Sequence, residues 1–215
     1  MHAVPNRTLA ALAAATCFLA LAQPARAVPD AQFQPAFQVF SQANSGDSSA
    51  IDKAAEAFAG LLRSEPTNPV LLAYSGAATA MRAGTTLLPW KKMGYAEDGL
   101  AQLDKALALL SPAHDAPVQN QTPGVLETRF VAANTFLGVP GFMNRGERGH
   151  KLLADVLRSP LFDSAPLGFR GAVWLKAADV AVRDGKTDEA RRLLGLVLQN
   201  HAPQASQAET RLKGL

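Results

Sequence analysis

Two short stretches carry side chains suited to recognition chemistry. In TTLLPWKKM, Trp90 runs directly into Lys91 and Lys92, and in VPGFMNRGER, Phe142, Asn144, Arg145 and Arg148 follow one another closely. A flat aromatic beside cations can engage a carboxylate or another anion, and arginine does so with a two-pronged geometry that lysine lacks. Pro89 and Pro140 stiffen the two stretches by fixing φ. These seven side chains form the expected partner-binding set, and the expected partner is another protein or a peptide that is acidic where it meets the cations.

Other chemistry is sparse. Glu127 and Arg129 flank Thr128 in the apolar stretch VLETRFVAANTF. Residues two apart on a helix face different ways, so each needs a partner on another helix. Asp98 or Lys92 is expected to complete an internal polar network with them. A glutamate in a helical chain could also serve as the acid of a glycan hydrolase, which needs a second carboxylate within about 10 Å. Glu127 and Glu97 are the candidates, but no wide run of aromatic and amide residues for sugar stacking accompanies them. His114, His150 and His201 stand alone, outside the spacing of a helical metal pair. The chain has no nucleophile elbow, no glycine-rich phosphate loop and no dinucleotide fingerprint. The expectation is therefore a chain without catalytic residues, cofactor or metal.

Helices must position these groups. Apolar residues recur at three- and four-residue steps nearly throughout, which is the helical period, and β-branched residues are scattered. The chain reads as all-α. One pattern occurs four times: a small residue, a large apolar one four places on, and another apolar one three further. It appears as Ala54, Phe58, Leu61, then Gly99, Leu103, Ala106, then Gly149, Leu153, Val156, then Ala190, Leu194, Val197. Pro66, Pro112 and Pro160 close the first three copies. A partner helix precedes each copy, marked by Phe33, Phe37 and Phe40, by Leu72 and Gly76, by Leu126, Phe130 and Ala133, and by Trp174, Ala177, Ala178 and Ala181. In RDGKTDEARR, Gly185 is expected to end one helix and Thr187 to cap the next.

Helix pairs with these features resemble tetratricopeptide repeats over nearly all of residues 31–203. The resemblance implies a right-handed solenoid of about four stacked antiparallel hairpins, whose concave face binds peptides or proteins and which performs no chemistry. The copies begin at Ala54, Gly99, Gly149 and Ala190, a wider spacing than the roughly 34 residues of the ideal repeat. The excess falls in the stretches around Trp90 and Phe142, each between the first and second helix of adjacent pairs. In a stack of hairpins such turns share an edge, so Trp90, Lys91 and Lys92 are expected beside Phe142, Asn144 and Arg145. Residues 111–124 are expected to form a loop on the opposite edge, and the tail after Pro203 a short polar capping helix.

The first residues, MHAVPNRTLAALAAATCFLALAQPARA, combine Arg7, a short uncharged run and a small-residue cleavage pattern at Ala25-Arg26-Ala27. They are expected to be a secretory signal peptide over residues 1–27, with residues 28–215 forming one domain. Cys17, the sole cysteine, lies inside the apolar run, so cleavage leaves no thiol for disulfides or thiolate chemistry. Removing Arg7 and Arg26 from the 21 basic residues leaves 19 against 18 acids. That balance offers no basic stripe for nucleic acid. The reading is a periplasmic or secreted, non-enzymatic adaptor or assembly factor. A small-molecule or anion-binding periplasmic protein is the second reading, and a helical glycan hydrolase the third.

Overall fold

The structure, a computed structural model, describes residues 28–215; the expected signal peptide, with Cys17, lies outside the described residues. Nine α-helices and no strand occur among the described residues: α1 (Asp30–Asn44), α2 (Ile51–Ser64), α3 (Pro69–Met81), α4 (Pro89–Ala108), α5 (Gly124–Phe136), α6 (Gly146–Leu157), α7 (Leu167–Arg183), α8 (Thr187–Gln199) and α9 (Ala205–Leu212). The all-α reading holds. Consecutive helices pack as α1 on α2, α3 on α4, α5 on α6 and α7 on α8, with α9 against α8. Helix α3 also packs on α2 and α5, whereas α6 meets α7 only sparsely.

Helix α3 is the centre of the first half. Asn68 accepts from the backbone N–H groups of Val70 and Leu71, and Pro69 takes the first helical position, where its missing N–H does no harm. Every residue from Pro69 to Ala78 is buried, as expected of a helix that is apolar nearly all round. The core has two parts. One joins α1 to α4, and the other joins α6 to α9. Helix α5 serves both, giving Val131, Ala132 and Phe136 to the first and Val125, Leu126 and Ala133 to the second.

The fourfold pattern has a physical meaning here. Ala54, Gly99, Gly149 and Ala190 are all buried, as are Phe58, Leu103, Leu153 and Leu194, each on the second helix of a pair. The small residues allow close approach. A Cβ on Gly149 would lie 2.7 Å from the Leu137 side chain. Gly185 follows α7 at φ +73°, the left-handed conformation that glycine adopts without steric penalty.

Three local expectations need correction. Thr187 does not cap α8: Lys186 precedes the helix, no side chain bonds its first turn, and Thr187 is already helical. The stretch from Pro89 is not an added loop but the opening turns of the 20-residue α4, because proline is well placed at a first helical position. Residues 111–124 are only partly a loop, since Pro112–Asp115 and Gln119–Gln121 form short 3-10 turns. The tail does form a helix, α9, anchored by the buried Ala208.

Candidate functional site

The Trp90 tip is built from the end of α3. After Met81 a 3-10 turn, Arg82–Gly84, reverses the chain. Arg82 is tied to α2 through Asp52 at 2.7 Å, and its guanidinium lies 5.9 Å from the Tyr95 ring on α4. The tip therefore has a braced base. Beyond it, the Leu88 N–H donates to Thr86 Oγ1 at 3.3 Å, and Leu88 precedes Pro89 in an extended conformation. Leu87 is 93% exposed and Trp90 68%, with Leu88 and Met93 beside them also exposed. Lys91 and Lys92 project from the same first turn of α4 and are exposed.

The second stretch forms a different structure. Phe142 is exposed in the 3-10 turn Gly141–Met143, and Asn144 then takes φ 54°, a left-handed conformation that asparagine tolerates. Arg145 and Arg148 both turn to Asp104 of α4. Arg145 bonds its two oxygens at 3.0 and 3.3 Å, and Arg148 also donates to Oδ1. Both guanidiniums lie over the Phe136 ring, 5.4 and 5.2 Å from its centroid. These arginines are thus a clasp between α4, α5 and α6. Asp104 stands fourteen residues beyond Trp90, which is about 21 Å along the helix axis. The cations expected beside Trp90 are drawn to that distant carboxylate instead.

Glu127 is 5% exposed, and the Tyr74 hydroxyl donates to its Oε1. Tyr74 is enclosed by Phe33, Phe37, Phe40 and Phe58, with ring centroids 4.8 to 5.7 Å away. Burial pushes the Glu127 carboxyl up from 4.5 to about 7, opposed by bonds from Tyr74 and Thr122. Burial, followed by the neighbouring carboxylate, also raises the Tyr74 hydroxyl. The polar network expected of Asp98, Glu127 and Arg129 is corrected by this pairing. Glu127 meets Tyr74 of α3, Asp98 is exposed on α4, and Arg129 is half-buried outside the pair. A carboxyl so enclosed cannot reach a sugar, which removes Glu127 as a hydrolytic acid.

Shortly before α5 lies a segment of left-handed backbone. Asn120 and Gln121 both have φ 55°, and the neighbouring Gln119 donates to the Val28 carbonyl while Gln34 donates to Asn120. It ties the start of α1 to the loop before α5. The three histidines stay apart: His114 in the 3-10 turn Pro112–Asp115, His150 on α6 and His201 after α8.

Sequence reasoning missed Leu87, Leu88 and Met93 as members of the exposed tip. Their signal was an apolar pair placed directly before a proline-started helix. No family model, curated protein or solved structure matches the chain.

Proposed function

We propose that the chain is an exported, non-enzymatic helical-repeat protein, built like a tetratricopeptide stack, that binds another protein through the Trp90 tip. One observation carries this reading. Of the six large apolar side chains exposed among the described residues, four fall at Leu87, Leu88, Trp90 and Met93. Grouped apolar exposure of this kind marks interaction sites. Lys91 and Lys92 stand within the same group, and no acid occurs between Glu65 and Glu97. The matching partner surface is an apolar groove rimmed by carboxylates.

The mechanism is rigid presentation. The tip is braced by Arg82 and by the packing of α3 on α4, so binding orders little of this chain. Arg145 and Arg148 hold α6 in place rather than meeting the partner. A small molecule is less well suited to the tip, since neither Trp90 nor Phe142 lines the clefts among α6, α7, α8 and α9.

Site-specific photocrosslinking from position 87 tests the proposal in cells that export the chain. One discrete protein adduct is expected, lost in Trp90→Ala/Lys91→Ala while the melting temperature holds. An adduct unchanged by that double variant overturns the reading. So does an exported chain that is recovered on anionic phospholipid vesicles and crosslinks to no protein.

A further inference from the structure

Between the third and fourth helix pairs lies a cleft of about 490 Å³. The end of α6, the following turn and the first half of α7 form one side, and α8 forms the other. Its apolar floor includes Phe162, Trp174, Leu193 and Leu196, and its walls carry Arg158, Arg170 and Arg192 against a single lining acid, Asp163.

The three arginines are not equivalent. Arg158 is engaged by Asp155 at 3.3 Å, and Arg192 is gripped by both oxygens of Glu189 at 2.7 Å. Arg170 has no acidic partner within ion-pair distance among the described residues, and its Nε is buried with no acceptor. Its guanidinium lies 5.5 Å from the centroid of the Trp174 ring, which Phe162 meets edge-on at 5.9 Å. The indole face gives the guanidinium a cation–π contact. With no carboxylate of the chain holding it, the guanidinium that lines the cleft is open to an anionic acceptor from outside.

We propose that this cleft is a binding site for a small organic carboxylate, whose charged end is received by Arg170 and whose apolar body covers the half-buried Leu157 and Leu196. The carboxylate plane matches the guanidinium fork. The volume is that of a small-molecule site. An inorganic anion would satisfy Arg170 but leave the apolar floor wet. This site shares no residue with the Trp90 tip, so the two readings stand or fall separately.

The chain has two tryptophans, Trp90 and Trp174. In Trp90→Phe, Trp174 is the sole indole and reports on the cleft by fluorescence. The probes are cyclohexanecarboxylate, its neutral carboxamide and inorganic phosphate, with calorimetry as a second readout. The carboxylate is expected to bind saturably with Kd below about 1 mM, and the amide and phosphate at least about tenfold more weakly. Arg170→Gln is expected to lose at least about tenfold in carboxylate affinity, whereas Arg145→Gln, in the distant clasp, loses none. The proposal is overturned by equal binding of carboxylate and amide, by unchanged affinity in a folded Arg170→Gln, or by no saturation up to about 10 mM. Should Arg170→Gln fail to fold, the carboxylate and amide comparison on the Trp90→Phe chain still decides.

Discussion

Gly76 of α3 and Gly99 of α4 meet backbone to backbone. A Cβ on Gly99 would lie 2.5 Å from the Gly76 carbonyl oxygen and 2.6 Å from the Ala80 nitrogen, while a Cβ on Gly76 would lie 2.7 Å from the Gly99 carbonyl oxygen. Backbone on both sides leaves nothing flexible to give way. The crossing fixes how α4 leans on α3, and hence where α4 carries Trp90.

Gly99→Ala is therefore expected to destabilise the chain by about 1–3 kcal/mol, as overpacking does. Gly94 lies five residues earlier on the same helix and would meet nothing within 4 Å. There the same substitution improves helix propensity, and Gly94→Ala is expected to gain up to about 1 kcal/mol. Thermal unfolding of both variants checks the pair of signs. Shifts in the same direction would mean that the helices do not cross at Gly99.

The crossing is legible in the sequence, because a small residue at the head of each pattern copy leaves room for a close neighbour. So are the helix pairs, since their period is a local property of the chain. Other features depend on residues far apart in sequence. Tyr74 and Glu127 each stand in an otherwise apolar helix and each need a partner, yet periodicity does not say that they satisfy each other. Arg145 and Arg148 read as available cations because their partner, Asp104, lies 41 and 44 residues away on a different helix. Exposure itself was illegible. Trp90 follows a proline and could equally have plugged the core, and only the packing of α3 on α4 leaves it outside.

Glu127 gives the stability a specific pH dependence. Its carboxyl titrates at about 7 in the folded chain and near its ordinary 4.5 when unfolded. Between those values the folded chain retains a proton that the unfolded chain has released, so stability falls as pH rises through this window and levels off above it. The loss is of order 3 kcal/mol. Glu127→Gln keeps an acceptor for the Tyr74 hydroxyl and carries no charge. Its melting temperature is expected to exceed the native value at pH 8 by several degrees, at roughly 2–4 °C per kcal/mol, with the gap closing near pH 5. Native and variant curves that run parallel from pH 5 to 8 would refute the burial of that carboxyl.

The clasp at Asp104 should matter less than its geometry suggests. Its side chain is 33% exposed, and those of Arg145 and Arg148 are 27% and 43% exposed, so water screens all three. Asp104→Asn is expected to cost about 1 kcal/mol at low salt and less at about 1 M salt, where the screening length falls to about 3 Å. Denaturant unfolding at two salt concentrations measures the difference. A salt-independent loss would assign the role of the arginines to their packing on Phe136 instead.

The two tryptophans differ in how much packing each carries. Trp174 is 6% exposed and packs against Phe162, so Trp174→Ala is expected to cost about 3–5 kcal/mol. Trp90 is 68% exposed at the opening of α4, with little apolar contact to lose. Trp90→Ala is expected to change stability by no more than about 0.5 kcal/mol in either direction. Chemical denaturation of the two variants provides both values. A loss at Trp90 comparable to that at Trp174 would show that its ring is packed rather than presented. The tip would then have no apolar face to offer a partner. A negligible loss at Trp90, together with lost crosslinking from position 87, would leave contact with that partner as the use of this side chain.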